Sequence, residues 1–287
     1  MRRIPRAVAI ASLASAVAAF CALAPAASAI GNGVPDGDAH PNVGMLAVGF
    51  EEDGELVRYG ICSGSYGGPR IGQPELKVFV TAAHCVAWAP EEGVGADQFW
   101  VTFDANVTFD STGAVTSLND WHRASEVAFD AAFGASHANP HDYGAVVLES
   151  APAGLAPVEW PTAGLLDTLA ARGGLRPDTV FDNVGYGLVP SFKQGPPRFE
   201  FAPGRMSSTS RFMGLTHTYL KLNMNSELEE NGGVCFGDSG SPKFIHDTNM
   251  VVAITTGGDA ICRANNYNSR LDTSEARAFY GQYLALP

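Results

Sequence analysis

Short segments typical of β-strands recur along almost the whole chain, and they constrain its fold more than any other feature of the sequence. They are rich in β-branched and aromatic residues, and clusters of Gly, Pro, Asn and Asp bound them. The segments are VGMLAVGF, KVFVTAA, FWVTF, YGAVVLE, TVFDNVGYG, TYLKLNM, PKFIH and MVVAITTGG. Since no helical periodicity competes with them before the C-terminus, the pattern predicts an all-β sandwich or barrel.

Two stretches interrupt this pattern. ESAPAGLAPVEWPTAG is rich in Pro and Ala and predicts a linker between halves of similar length. The tail DTSEARAFYGQYLALP has capping residues at its start, an acid at Glu275 and apolar residues at helical spacing, so it predicts a short C-terminal helix. The predicted halves are residues 30–150 and 165–272. The predicted linker is 151–164, and the predicted helix is 273–287.

The N-terminus has the features of a secretory signal peptide. Arg2, Arg3 and Arg6 precede an alanine-rich, almost uncharged run, and small residues follow at Ala27 and Ala29. This order predicts export of the protein and cleavage after Ala29. The alternative interpretation of residues 1–29 is a buried N-terminal helix.

Charge limits the partners of the mature chain. Loss of the three signal arginines reduces the 18 basic residues to 15, against 30 acidic residues. An acidic surface disfavours nucleic acid and anionic membranes as partners. No later segment is apolar enough to span a bilayer, so we expect no stable membrane anchor, and we expect a monomer.

The mature chain keeps four cysteines, Cys62, Cys85, Cys235 and Cys262. An even count in an exported chain predicts two disulfides, for which three connectivities are possible. Zinc binding is the alternative, but no pair has the short spacing that zinc sites favour.

The stretch CFGDSGSP places an acid and a serine between two glycines. A serine hydroxyl is a weak nucleophile until a base removes its proton, and the resulting oxyanion needs donors held in position. Glycine at position 237 lets the backbone turn its N–H toward that oxyanion, together with the N–H of Ser239. The stretch therefore predicts Ser239 as a nucleophile, with an oxyanion hole formed by Gly237 and Ser239.

A base and an orienting acid are found in the first half. VTAAHCV places His84 at the end of a strand-like run, and NPHDYGAVVLES places Asp142 just before a buried strand. Such an acid would hold the imidazole in the required tautomer and stabilise its charged form. Asp120 and Asp130 are alternatives by residue type, but neither of them opens such a strand.

TAAHC, an aspartate before an apolar strand, and GDSGSP follow one another in the order His, Asp, Ser. In these motifs the mature chain resembles the chymotrypsin/trypsin-like serine proteases of the secreted, bacterial type. The resemblance implies two six-stranded antiparallel β-barrels, with the active site in the cleft between them. It further implies that His84, Asp142 and Ser239 form a catalytic triad, and it implies no cofactor.

The same resemblance assigns roles to further residues. It pairs Cys62 with Cys85 and Cys235 with Cys262. In the family, the acid before the serine binds the free ammonium of an Ile or Val N-terminus, which shapes the oxyanion hole. Here Asp238 and Ile30, in IGNG directly after the predicted cleavage, would form this switch, so we expect no separate propeptide.

The resemblance also locates the substrate pocket. Its floor would be Gly233, and Thr256, Gly257 and Gly258 in ITTGG would belong to the strand that pairs with substrate, with Thr256 near Asp142. Glycine supplies no charge, so we expect a neutral apolar or aromatic residue before the scissile bond. An acid on the pocket wall would reverse this preference, and Asp259 leaves that alternative open.

Metal sites are the less favoured interpretation of two other features. His137 and His141 flank Asn139-Pro140 and cannot lie on one continuous helix, so an exposed loop is favoured. The acidic clusters at 51–53 and 227–230 are favoured as solvated surface over calcium sites.

The leading hypothesis is a secreted serine endopeptidase that acts on protein or peptide substrates through an acyl-enzyme. A catalytically silent relative, used for binding or adhesion, is the non-enzymatic alternative. An α/β-hydrolase esterase would need G-x-S-x-G and the order Ser, Asp, His, whereas residue 241 is Ser and the order is reversed.

Overall fold

A computed structural model describes residues 32–136, 138–191, 198–225 and 231–287. The predicted signal peptide, Ile30, His137 and the acidic cluster at 227–230 lie outside these ranges. Among the described residues, no helix has the length and apolar character needed to cross a membrane.

The first half of the chain forms a closed antiparallel barrel in the order β2-β3-β4-β7-β6-β5. Turns bound the strands, and strand β7 is buried at every position. The strand bounds are β1 (Val34–Pro35), β2 (Val43–Glu52), β3 (Glu55–Arg70), β4 (Gln73–Thr81), β5 (Phe99–Thr102), β6 (His122–Phe129) and β7 (Gly144–Leu148). Strand β4 pairs with β7 from Lys77↔Leu148 to Thr81↔Gly144, so the ends of these two strands meet at one rim of the barrel.

The second half forms another six-stranded barrel. Its strands follow the order β11-β12-β15-β14-β13-β8, a pairing of β11 with β8 closes it, and β1 adds to the edge of β11. The bounds are β8 (Val180–Gly185), β9 (Leu188–Ser191), β10 (Arg198–Phe201), β11 (Met206–Leu215), β12 (Tyr219–Asn223), β13 (Pro242–Ile245), β14 (Val251–Gly258) and β15 (Asn265–Arg270). Strands β9 and β10 form a separate hairpin. The predicted architecture of two six-stranded barrels is confirmed.

Two short α-helices lie in the second half, α1 (Leu165–Ala171) and α2 (Ser274–Tyr280). Helix α2 is the predicted C-terminal helix, and the side chain of Thr273 caps it by accepting a hydrogen bond from the Ala276 N–H. The sequence analysis missed α1, which has seven residues and lies within a Pro- and Gly-rich context. It is held by packing, because Leu166 is fully buried against the second barrel.

Helix α2 follows the second barrel in the sequence, but it forms hydrogen bonds to the first barrel. The Tyr280 hydroxyl lies 3.0 Å from the Thr81 carbonyl oxygen and 3.2 Å from that of Gly144, and Tyr280 is fully buried. The Trp160 indole N–H donates to the Gly67 carbonyl at 3.0 Å. The bonds of Tyr280 join the rim of the first barrel to the last helix, and the bond of Trp160 joins the first barrel to the predicted linker.

Candidate active site

His84 and Asp142 meet at the rim where β4 ends and β7 begins. His84 lies in a 3-10 turn (Ala83–Cys85) after β4, and Asp142 precedes β7 as predicted. Asp142 Oδ2 lies 2.9 Å from His84 Nδ1, and Oδ1 accepts the His84 backbone N–H at 2.9 Å. Asp142 is buried, whereas a third of the His84 side chain is exposed. The acid therefore fixes the ring and leaves Nε2 facing the open side.

The two alternative acids lie elsewhere. Asp120 is exposed and lies 3.7 Å from His122 Nε2. Asp130 lies 3.1 Å from the ring of His141. Neither of them contacts His84, which leaves Asp142 as the carboxylate that orients it.

Ser239 comes from the second barrel and lies against the first. Its carbonyl accepts the Ser63 backbone N–H at 2.9 Å. Ser63 follows Cys62, whose disulfide to Cys85 places the serine loop beside the turn that carries His84. Within the described residues, Ser239 Oγ makes no hydrogen bond to His84. Such contacts often shorten only when substrate binds.

The two N–H groups predicted to form the oxyanion hole are oriented by their neighbours. The Phe236 carbonyl accepts the Leu188 N–H at 2.7 Å, and the Asp238 carbonyl accepts the Ser241 N–H at 2.9 Å. In a trans peptide the N–H points opposite to the C=O, so the N–H groups of residues 237 and 239 are turned away from these bonds. Gly237 has φ +92°, which favours glycine. Neither N–H has a partner in the described part of the chain.

Asp238 is completely buried behind the nucleophile. Its carboxylate accepts the Gly187 N–H at 2.8 Å and the Cys235 N–H at 2.9 Å. Burial raises its pKa, whereas these N–H groups and the charge of Lys243 oppose the rise. The predicted partner of Asp238, Ile30, lies outside the described residues, so the N-terminal switch stays a prediction.

Lys243 is a buried cation that the sequence analysis missed. It is fully buried on β13, and its ammonium donates to Ser241 Oγ at 3.2 Å. Burial lowers its pKa, and attraction to Asp238 opposes the fall. A lysine within the otherwise apolar run PKFI was the signal that could have found it.

A cavity of about 250 Å³ opens beside Ser239. It lies between Val234–Ser239 on one side and Thr255–Gly258 on the other, which brings Thr256, Gly257 and Gly258 to its wall. The Thr256 hydroxyl forms a hydrogen bond with Ser269 Oγ, at 2.6 Å, rather than with Asp142. This cavity has the position expected of the substrate pocket.

Gly233, the predicted floor of the pocket, packs against Met224. A Cβ at Gly233 would overlap the side chain of Met224, which is buried, and the Met224 Cε lies 3.5 Å from a Cβ built at Gly258. Met224 therefore backs the pocket with an apolar, flexible group. Its role could not be read from the sequence, since it lies nine residues before Gly233.

Asp259 also lines this cavity, and its carboxylate is held by the backbone of its own loop. Burial raises its pKa, but hydrogen bonds from the backbone of Arg263, Ala264 and Asn265 outweigh this and hold the pKa below its usual range. The shortest of these, from the Ala264 N–H, is 2.7 Å. The carboxylate thus closes a turn of its own loop.

A second cavity, of about 210 Å³, lies on the other side of Gly237. Its lining is mainly apolar and comes from both barrels and from the β9–β10 hairpin. Phe201 of this hairpin stacks on Phe109 of the first barrel, with ring centroids 4.8 Å apart. The cleft therefore has an apolar cavity on each side of the oxyanion hole.

No protein-family model matches the sequence, and no curated protein is significantly similar to it. Solved structures do match. HL collagenase is 12% identical, with a TM-score of 0.55 over 91% of this chain and 97% of that chain. Human heparin binding protein is 13% identical, with a TM-score of 0.55 over 88% and 94% of the two chains. At such identities the likeness shows the fold alone. The chain has the chymotrypsin fold.

Both implied disulfides of this chymotrypsin fold are present. Cys62 bonds to Cys85 and Cys235 bonds to Cys262. The sulfur atoms of the first pair lie within 4.8 Å of His84, in an arrangement that a metal could use only if the thiols were free. The disulfide leaves no thiolate there to bind zinc. His141, the other suspected ligand, bonds to Asp130.

Proposed function

We propose that this protein is a serine endopeptidase. Ser239 attacks the carbonyl carbon of a peptide bond while His84 Nε2 takes its proton. The oxyanion that forms accepts hydrogen bonds from the N–H groups of Gly237 and Ser239. His84 then donates the proton to the leaving amine, and water hydrolyses the acyl-enzyme by the reverse sequence. Asp142 keeps the His84 proton on Nδ1 throughout.

One observation carries the proposal: a buried carboxylate orients His84, while the N–H groups of Gly237 and Ser239 in the neighbouring barrel have no partner among the described residues. A silent relative has no need to keep all of these groups in place. The esterase alternative would need an α/β fold, whereas this chain is all-β.

The pocket supports an apolar or aromatic residue before the scissile bond. Its lining consists mainly of small or apolar residues, and the Asp259 carboxylate on its wall is held by backbone N–H groups of its own loop. On the leaving-group side, the apolar cavity between Gly237 and Phe201 fits a second apolar residue.

Secretion and maturation belong to the same proposal. We expect cleavage after Ala29 to release a monomeric enzyme that begins at Ile30, requires no cofactor and acts on extracellular proteins or peptides. The two disulfides are compatible with an oxidising compartment.

The test is covalent labelling. The protein secreted from an expression host is treated with a fluorophosphonate probe, the labelled residue is mapped, and the N-terminus is sequenced. We expect labelling of Ser239 in a chain that starts at Ile30. Ser239→Ala should abolish labelling, and His84→Ala should slow peptide hydrolysis by about 10⁴- to 10⁶-fold.

Ser274→Ala is the control for the serine, because Ser274 is exposed at the start of α2 and its hydroxyl bonds to Glu275. Labelling should survive in this variant. A folded wild-type chain that starts at Ile30 and resists the probe would contradict the endopeptidase and favour the binding relative.

A further inference from the structure

Ser63 connects the first barrel to the serine loop through its backbone N–H and its hydroxyl. It lies on β3 and is fully buried. Its N–H donates to the Ser239 carbonyl, and its own carbonyl accepts the Thr81 hydroxyl at 2.9 Å. Its hydroxyl lies 2.9 Å from the Gly237 carbonyl oxygen and 3.0 Å from the Tyr186 N–H.

The direction of the hydroxyl proton follows from these partners. The backbone N–H of Tyr186 can only donate, and the Gly237 carbonyl oxygen can only accept. Ser63 Oγ therefore accepts from Tyr186 and donates to Gly237. Since the site is buried, water does not compete for either bond.

The bond to Gly237 lies at the centre of the oxyanion hole. The carbonyls of Phe236 and Asp238 are held by backbone N–H groups, whereas the carbonyl between them is held by a side chain from the other barrel. If the peptide group that joins Gly237 to Asp238 rotated, φ or ψ at both residues would change. This peptide group links the peptide that carries the Gly237 N–H to the peptide that carries the Ser239 N–H, so the bond from Ser63 restricts the motion of one donor relative to the other.

We propose that Ser63 is a positioning residue for the oxyanion hole, which its hydroxyl holds in shape from the opposite barrel. This inference rests on the proposed function of the same site. It adds that a residue of the first barrel maintains the geometry of the oxyanion hole, whose N–H donors belong to the second barrel.

Ser63→Ala tests the proposal. The oxyanion exists in the transition state rather than in bound substrate, so we expect kcat on a peptide substrate to fall by about 10- to 100-fold, less than the loss of a direct donor. KM should stay within about twofold, because ground-state binding does not use the hole. A peptide boronate, which mimics the tetrahedral oxyanion, should lose affinity in parallel with kcat.

Ser65→Ala is the matched control. Ser65 lies two residues along β3 and is equally buried, but its hydroxyl has no hydrogen-bond partner among the described residues. We expect wild-type kcat and KM in this variant. Any effect of shortening a buried serine on folding should appear in both variants.

A second readout does not depend on activity. In NMR spectra, Ser63→Ala should shift the carbonyl carbon of Gly237 and the amides of Gly237 and Ser239, while Ser65→Ala should leave them near their wild-type positions. An inactive wild type with this shift pattern would contradict the proposed function and support the role of Ser63 in the loop. Unchanged Gly237 and Ser239 signals, or wild-type kcat in a folded Ser63→Ala variant, would overturn the inference.

Discussion

At the scale of single residues, the buried pair Asp238 and Lys243 is the most demanding feature of the second barrel. Both side chains are removed from water, and they are not in direct ion-pair contact in the described structure. Burial disfavours both charges, while their attraction acts strongly across a medium of low polarity. Each charge therefore depends on the other, and two backbone N–H groups share the support of Asp238.

In the Lys243→Met variant, the free energy of unfolding should keep falling, as pH rises, up to a higher pH than in the wild type. The folded-state pKa of Asp238 is raised above 3.8, so the free energy of unfolding falls as pH rises from 3.8 through the folded-state value. Without Lys243 that pKa rises further, and the fall should continue to higher pH. The variant should also lack the alkaline gain in stability that the lowered pKa of Lys243 gives the wild type.

Urea unfolding between pH 4 and pH 9 measures both effects. The double variant Asp238→Asn/Lys243→Met is the control, since neither buried group titrates in it and the slopes from this pair should vanish. A single variant whose stability follows pH as the wild type does would show that the two charges are not coupled.

At the scale of elements, strand β14 and the loop of Met224 together set the depth of the pocket. Strand β14 contributes a wall of small residues, and the Met224 side chain occupies the space that a larger residue at Gly233 would need. We therefore expect the depth of the pocket to depend on the side chain of Met224, which lies outside the strand. This side chain is flexible and can be replaced.

Met224→Ala should deepen the pocket and change the preference for the residue before the scissile bond. We expect the ratio of kcat/KM for Trp or Phe over Val to rise about 10-fold, since each added methylene in an apolar pocket contributes about 1–3 kcal/mol. A series of peptides that differ only at this position measures the ratio. Met213→Ala is the control, because Met213 is 59% exposed on β11. An unchanged ratio in Met224→Ala would remove Met224 from the pocket.

At the scale of the whole molecule, Tyr280 joins the two barrels at the site itself. Its hydroxyl bonds to Thr81, three residues before His84, and to Gly144, two residues after Asp142. The base and the acid are therefore held in register by the last helix of the chain. Burial raises the pKa of Tyr280 well above its usual range, so this hydroxyl keeps its proton.

Tyr280→Phe should lower the free energy of unfolding by about 1–3 kcal/mol, because two buried carbonyls lose their shared donor. It should also lower kcat, since the rim carrying His84 and Asp142 is loosened. Denaturant unfolding and peptide hydrolysis measure the two effects. Tyr267→Phe, on a tyrosine that is 38% exposed, should change neither. A Tyr280→Phe variant with wild-type stability would argue against the link.

The sequence predicted what local pattern can specify. Short runs of β-branched and aromatic residues and the turn residues between them predicted an all-β chain, and motif resemblance predicted the double barrel. The short apolar helix Leu165–Ala171 was missed because its formation depends on packing of Leu166. Ser63, Met224 and Lys243 were missed for a related reason, since each acts through contacts with residues far away in sequence or through burial that only the closed barrel creates.

The position of Tyr280 also has a consequence for biosynthesis. Its two carbonyl partners lie 199 and 136 residues earlier in the chain, so they leave the ribosome long before it does. Domains of a growing chain fold from the N-terminus onward. The barrel that carries His84 and Asp142 therefore emerges before Ser239 and Tyr280. Under the proposed function, a nascent chain that has not yet reached Ser239 would have no nucleophile, so proteolysis could begin only after the second barrel and its helix are complete.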